Sequence, residues 1–242
     1  RHNIRVMRNL MLNSASHAFC NQPSCGGPTY WIRNIASHQP GGAVRLTAGA
    51  AGVFFYNNTI LSEVALASSS NVHFRNNLVL GEQSAPAIFS VNTLTNYSSS
   101  DYNGFRPNPG AAFSFAWNSP PSDRLSDYTS LTTPAAQGGG KSLETRQFQT
   151  LSEYAKATGQ DRRSVVVDYD VFVKVPPLNA QDRATVQRVY RAEDLDFRLR
   201  SGSSAIDAGT PLPNVTNGFS GRAPDLGAIE LGSAPPHYGP RP

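Results

Sequence analysis

Four apolar stretches of this chain end on one polar signature: Met7-Arg8-Asn9, Ile32-Arg33-Asn34, Phe55-Tyr56-Asn57-Asn58 and Phe74-Arg75-Asn76-Asn77. Asn9, Asn34, Asn57 and Asn76 follow one another at 25, 23 and 19 residues, and a looser copy, Ser100-Asp101-Tyr102-Asn103-Gly104-Phe105, comes 27 later. A recurrence of this length means that one supersecondary unit is stacked on itself. Stacking turns each position of the unit into a column running along the molecule.

Strand side chains point to opposite faces in turn. Aligned on the first asparagine of each signature, Met7, Ile32, Phe55 and Phe74 form one column, expected to face the core. Arg8, Arg33, Tyr56 and Arg75 then face outward, as do Val6, Trp31, Phe54 and His73 on the other side of the apolar position. Upstream strand-like pieces, such as Ala43-Val44-Arg45-Leu46 and Ala87-Ile88-Phe89-Ser90-Val91, supply further short strands to each unit. Two or three strands separated by Gly, Ser and Asn turns make one rung of a parallel β-helix. Asparagine tolerates the left-handed backbone of a sharp corner, and its amide can bond the same residue one coil away. Asn9, Asn34, Asn57 and Asn76 are therefore expected to be a structural ladder.

Composition agrees with an all-β chain of short strands and many turns: 242 residues carry 20 Gly, 18 Pro and only 16% charged side chains. A net charge of +4 and a pI near 9.2 favour acidic partners in general. No Lys/Arg-rich run points to nucleic acid, and no apolar run approaches the ~20 residues of a membrane span. Arg1 opens directly on a strand-like segment, so further coils, or another chain, are expected against that first coil. Cys20 and Cys25 bracket a Pro-containing loop; a local disulfide is the favoured reading, with free thiols the alternative. No zinc-ligand spacing accompanies them, and no metal site is expected from them.

Val72-His73-Phe74-Arg75-Asn76-Asn77-Leu78-Val79 and Phe54-Phe55-Tyr56-Asn57-Asn58-Thr59-Ile60 resemble the coil repeat of the right-handed parallel β-helix proteins, the pectate-lyase-like superfold. The likeness covers roughly residues 3 to 105. The later succession Ser164-Val165-Val166-Val167-Asp168, Ser201-Gly202-Ser203-Ser204-Ala205-Ile206-Asp207-Ala208-Gly209 and Ala223-Pro224-Asp225-Leu226-Gly227-Ala228-Ile229-Glu230 is similar to the C-terminal ending of many secreted bacterial β-helix proteins. The resemblance implies about four to five right-handed coils (residues 1–105). A Pro/Gly/Ser-rich excursion follows (106–147), then an irregular C-terminal cap with one or two short helices (148–242). It also implies a secreted, periplasmic or surface location. Thr150-Leu151-Ser152-Glu153 has capping-box form and Gly159 offers a stop, so a helix is expected at about 150–158, with another near Ala180 to Tyr190.

The superfold implies work on polysaccharide: a lyase, a glycoside hydrolase, an epimerase or a non-catalytic relative. A lyase needs a base and cationic groups for the uronate carboxylate. Arg33, Arg75 and His73 are the candidates, with calcium as the cation the family often uses. A glycosidase needs two carboxyls about 5–10 Å apart, for which Glu63 is the coil-region candidate, with Glu82 in the next turn. Arg8, Trp31, Phe54 and Tyr56 are the candidate substrate-binding residues, since rings stack on sugars and arginine forks bind carboxylates. Asp207, Asp225 and Glu230 lie in Gly-rich turn contexts that suit backbone hydrogen bonding, with calcium binding or catalysis as the alternatives. Two readings follow: a carbohydrate-active protein on acidic polysaccharide, or a non-catalytic structural, adhesive or assembly-forming β-helix.

Overall fold

The computed structural model describes residues 3–14, 17–21, 27–37, 43–46, 50–82, 86–93, 97–119, 146–177, 179, 182–234 and 236–238. Its strands come in triplets. These are β1 (Ile4–Met7), β2 (Leu10–Leu12) and β3 (Phe19–Asn21); then β4 (Thr29–Ile32), β5 (Ile35–Ser37) and β6 (Val44–Leu46). After β7 (Ala50–Tyr56) and β8 (Thr59–Ile60), the long β9 (Val64–Arg75) closes one coil and opens the next, continued by β10 (Leu78–Leu80) and β11 (Phe89–Thr93). The last triplet is β12 (Ser99–Asp101), β13 (Gly104–Arg106) and β14 (Phe115–Asn118), so the coil runs on past Phe105. Equivalent strands pair in parallel from coil to coil. The result is a parallel β-solenoid of about four turns.

Register, not the first asparagine, decides the columns. Val6 pairs with Trp31, Trp31 with Phe55, and Phe55 with Phe74. Trp31 is thus inside, 7% exposed and stacked on Phe55 at 6.5 Å, while Phe55 lies on Phe74 at 4.8 Å. Met7 and Ile32 move to the outward column with Tyr56, Arg75 and Asp101. The expected alignment of Met7 and Ile32 with Phe55 and Phe74 is one residue out, and a one-residue slip exchanges the two faces of a strand. The third and fourth signatures carry two asparagines, and the coil aligns on the second.

The ladder therefore runs Asn9, Asn34, Asn58, Asn77, Asn103. Each amide Nδ2 donates to the next Oδ1, at 2.9, 3.1, 3.0 and 3.0 Å. Each of these oxygens also accepts the backbone N–H of the preceding asparagine. The second amide proton goes back to a carbonyl one coil earlier, Val6 for Asn34, Trp31 for Asn58 and Phe55 for Asn77. Four bonds saturate each interior side chain. Asn57 and Asn76 occupy the preceding column with Arg8, Arg33 and Tyr102, and all five are left-handed, with φ between 52° and 59°.

At the far end, β15 (Gln147–Phe148) adds antiparallel to β14, and β16 (Val165–Val166) adds to β13. Between them α1 (Leu151–Thr158) has the expected capping box of Thr150 and Glu153 and a left-handed Gly159. Its Tyr154 stacks on Phe115, closing the aromatic interior. The rest of the chain, including α2 (Arg183–Gln187) and the hairpin of β17 (Phe172–Lys174) with β18 (Asp196–Leu199), returns along the side of the coils. Tyr190 exchanges hydrogen bonds with Asn13 of the first coil. Asn57 Nδ2 donates to the Asp225 carbonyl and Asn76 Nδ2 to that of Thr210. Leu226, Ala228 and Ile229 pack with Ile35, Leu61 and Leu78 in a second apolar cluster. No helix among the described residues is long and apolar enough to cross a membrane.

Two expectations follow. Asn58→Ala strips an acceptor from two donors of Asn34 and a donor from the Trp31 carbonyl, at roughly 1–3 kcal/mol per stranded buried group. Denaturant unfolding should show it several kcal/mol less stable and clearly worse than Asn57→Ala; an equal or smaller loss would refute the register. Asp161, where the ladder ends, is buried, which raises its pKa against the opposing hydrogen bonds of Ser164, Asn103, Ser100 and Tyr154. A raised folded pKa adds stability as the pH falls through it and withdraws that stability as the pH rises. Relative to Asp161→Asn, the wild type should therefore gain stability on acidification; a flat or reversed difference between their unfolding midpoints would contradict this.

Candidate functional site

Parallel strands lie about 4.8 Å apart, so flat side chains at one outward position are driven into a stack. Arg5, Tyr30, Phe54, His73 and Ser99 hold that position on β1, β4, β7, β9 and β12. Tyr30 lies on Phe54 at 4.9 Å, and Phe54 on the His73 imidazole at 5.1 Å, with planes within 18°. The Arg5 guanidinium sits 5.9 Å from the Tyr30 ring centre. Tyr56 leans against Phe54 at 5.7 Å. Rings in such a stack use their faces on one another, and their edges meet solvent.

The stack ends in a hydrogen-bonded chain. His73 Nε2 is 2.8 Å from Asn71 Oδ1, and His73 Nδ1 is 2.8 Å from Ser99 Oγ. Arg75 Nη2 donates to the same Ser99 Oγ at 2.8 Å, while its Nη1 is tied to the Phe74 carbonyl at 2.7 Å. A carbonyl oxygen only accepts, so the proton belongs on Nε2, and Ser99 donates to Nδ1 while accepting from Arg75. Burial, then the Arg75 charge, pushes the His73 pKa below its ordinary value, which keeps the imidazole neutral at neutral pH. Asn71 has a left-handed φ of 52° within β9, a conformation rare inside a strand that asparagine accepts better than most residues.

Of the four candidates for catalysis, the coil brings together only His73 and Arg75. Arg33 lies at the left-handed corner beneath the returning C-terminal segment. It donates to the Val215 and Ala228 carbonyls at 3.4 Å. Burial lowers its pKa, and Glu230 and Asp225 oppose that. Glu63 stands in the turn before β9, whose next residue, Val64, pairs with Phe89 of a different strand stack. Glu82 is buried beside Tyr169, whose pKa is raised by burial and by that carboxylate. Among the binding candidates, Phe54 and Tyr56 are on the strip and Trp31 is in the core. Arg8 is at the first corner, where its charge draws down the Tyr238 pKa, which burial holds at about 12. Among the described residues of the strip, Asp101 is the single carboxyl and accepts from the Tyr102 and Arg163 backbones.

The C-terminal carboxylates serve mainly the backbone of their own turns. Asp207 Oδ1 accepts the Arg222 and Ala223 N–H groups, Asp225 those of Asp207 and Leu231, and Glu230 that of Asp225. Most of these oxygens hold turns, Glu230 Oε1 being buried without a hydrogen-bond partner, and no group of three or more potential metal ligands occurs among the described residues. Cys20 is exposed on β3; Cys25, its expected partner, lies outside the described residues, as does most of the excursion. Arg5, Tyr30, Asn71 and Ser99 were not legible as site residues, because no single position of the signature marks them.

Replacing Arg75 by Gln removes the positive neighbour of His73 but leaves it buried. An NMR titration of the imidazole should show the His73 pKa rise while staying below that of an exposed histidine; no movement would mean that the two groups are not coupled. Compared with protein-family models, curated proteins and solved structures, the chain matches none of them.

Proposed function

We propose that this β-solenoid binds an acidic polysaccharide along the strip formed by Arg5, Tyr30, Phe54, His73, Tyr56 and Arg75, as a secreted or surface protein. The supporting observation is the alignment of a half-exposed aromatic stack with two flanking arginines on one straight face of the coil. Neither Arg5 nor Arg75 is in an ion pair with an acid among the described residues. Guanidinium groups in that state can donate to a carboxylate or sulfate without first breaking an ion pair. Arg5 and Arg75 stand on the first and fourth coils of the strip, so a chain reaching both would run along the solenoid axis.

A second reading, a structural or assembly-forming β-helix, draws support from the stack itself. Phe54 has Tyr30 on one face and His73 on the other, so it has no free face for a sugar ring. In that reading the rings hold coils together from outside, as Phe55 and Phe74 do from inside. Contact with a glycan then falls to the arginines and to the ring edges.

Affinity electrophoresis against pectate, alginate and hyaluronate, with a neutral glucan as control, separates the readings. Binding should be selective for the polyanions, weaken with salt, and fall about tenfold or more in each of Arg5→Ala and Arg75→Ala, from charge-assisted bonds of roughly 1.5–3 kcal/mol each. Equal migration in all four gels would reject polysaccharide binding and leave the structural reading.

A further inference from the structure

We propose that Ser99, His73 and Asn71 form a hydrolytic triad acting on carboxylic esters, with the Arg75 guanidinium facing the oxygen that becomes negative. This goes beyond glycan binding and does not depend on it. The three groups meet the geometric test for an activated nucleophile: a hydroxyl in hydrogen-bond reach of a base that a third group orients. Ser99 Oγ to His73 Nδ1 is 2.8 Å, and His73 Nε2 to Asn71 Oδ1 is 2.8 Å. The Asn71 carbonyl fixes the tautomer with Nδ1 unprotonated toward Ser99, the form that can take a proton.

The neighbouring serines sharpen the assignment. Ser98 is turned inward, bonded to Thr93 and to the Val72 N–H, and Ser100 is inward with Asn103. Ser99 alone of the three faces outward, half-buried, with a neutral imidazole beside it. The imidazole is held on one face by Phe54, and Arg75 is anchored on its own strand by the Phe74 carbonyl. The left-handed Asn71 is a local departure from strand geometry that places its amide two residues from His73, on the same side.

In the reaction, Ser99 Oγ attacks the ester carbonyl carbon as its proton passes to His73 Nδ1. The carbonyl electron pair moves to oxygen, where the Arg75 charge stabilises it. Collapse expels the alcohol oxygen, which takes the proton from Nδ1 and leaves an acyl group on Ser99. Water then attacks that acyl carbon while His73 takes its proton; the carboxylic acid departs and Ser99 regains its hydrogen. Ser99, His73 and Arg75 touch the reacting atoms, and Asn71 is a positioning residue.

The full chain is tested with p-nitrophenyl acetate as substrate and diisopropyl fluorophosphate as label. One diisopropylphosphoryl group per chain should appear on the peptide holding Ser99, fluoride being released, with matching loss of hydrolysis. Ser99→Ala should fall to the uncatalysed rate, and His73→Gln should lose about 10²–10⁴-fold, as expected for a general base. Asn71→Ala should lose activity and Asn71→Asp restore it, which a merely structural asparagine would not show. Ser99 projects outward, so its alanine variant should unfold at the wild-type midpoint; if it does not, the site labelled in the wild type decides. Label on another serine, no label at all, or wild-type turnover in Ser99→Ala overturns the proposal.

Discussion

A single file of asparagine amides sets the geometry on which the other columns depend. Because every Nδ2 in it donates in the same direction, from Asn9 toward Asn103, the file has a polarity and needs an acceptor at its end. The last coil meets that need with two residues in place of one. Ser164 Oγ accepts the Asn103 backbone N–H at 2.7 Å, and Asp161 Oδ1 accepts its Nδ2 at 2.9 Å. Asp161 also receives the Ser164 hydroxyl and that of Tyr154 from the closing helix. A buried carboxylate costs desolvation, which the donors converging on it, Asn103, Ser164, Ser100 and Tyr154, oppose. Helix, last strand and ladder are locked at one atom pair.

The ladder also separates two jobs that one asparagine per corner would seem to combine. The left-handed turn is made by the preceding column, where Arg8, Arg33, Asn57, Asn76 and Tyr102 all take positive φ. A non-glycine residue pays roughly 1–2 kcal/mol there, asparagine less than most, yet Arg8, Arg33 and Tyr102 adopt it too. What asparagine contributes is the amide that spans two coils, with two donors and an acceptor oxygen, where arginine has no acceptor and tyrosine has a single donor. The corner residues are then free to serve the returning segment: Arg33 and Asn76 bond its carbonyls, and Gly227 and Gly209 approach so closely that a Cβ would strike Leu78, Thr59 or Asn76.

This division explains what could be read in the sequence. The recurrence, the β-solenoid, and the helix between Thr150 and Gly159 were legible because each rests on local signals, a repeat or a cap within ten residues. The choice between Asn57 and Asn58, or Asn76 and Asn77, was not, since both members of each pair suit a corner. Asn103, with no asparagine beside it, and the single Asn9 and Asn34 carry the information, and aligning every copy on its last asparagine recovers the ladder. That one-residue choice sent Trp31 to the wrong face and joined Arg8 and Arg33 to a strip they do not share. The burial of Arg33 was out of reach, because its partners lie 182 and 195 residues away.

The exterior chemistry inherits its precision from this interior file. The ladder and the inward column of Trp31, Phe55 and Phe74 fix coil against coil, so outward neighbours meet at a spacing they did not choose. Tyr30, Phe54 and His73 stack for that reason, and Ser99 falls opposite His73 for the same one. On a loop, a hydroxyl and an imidazole held at 2.8 Å would cost conformational entropy each time they met. On adjacent rungs that entropy has been lost already in folding, which is the condition under which a pair of polar side chains becomes pre-organised for proton transfer.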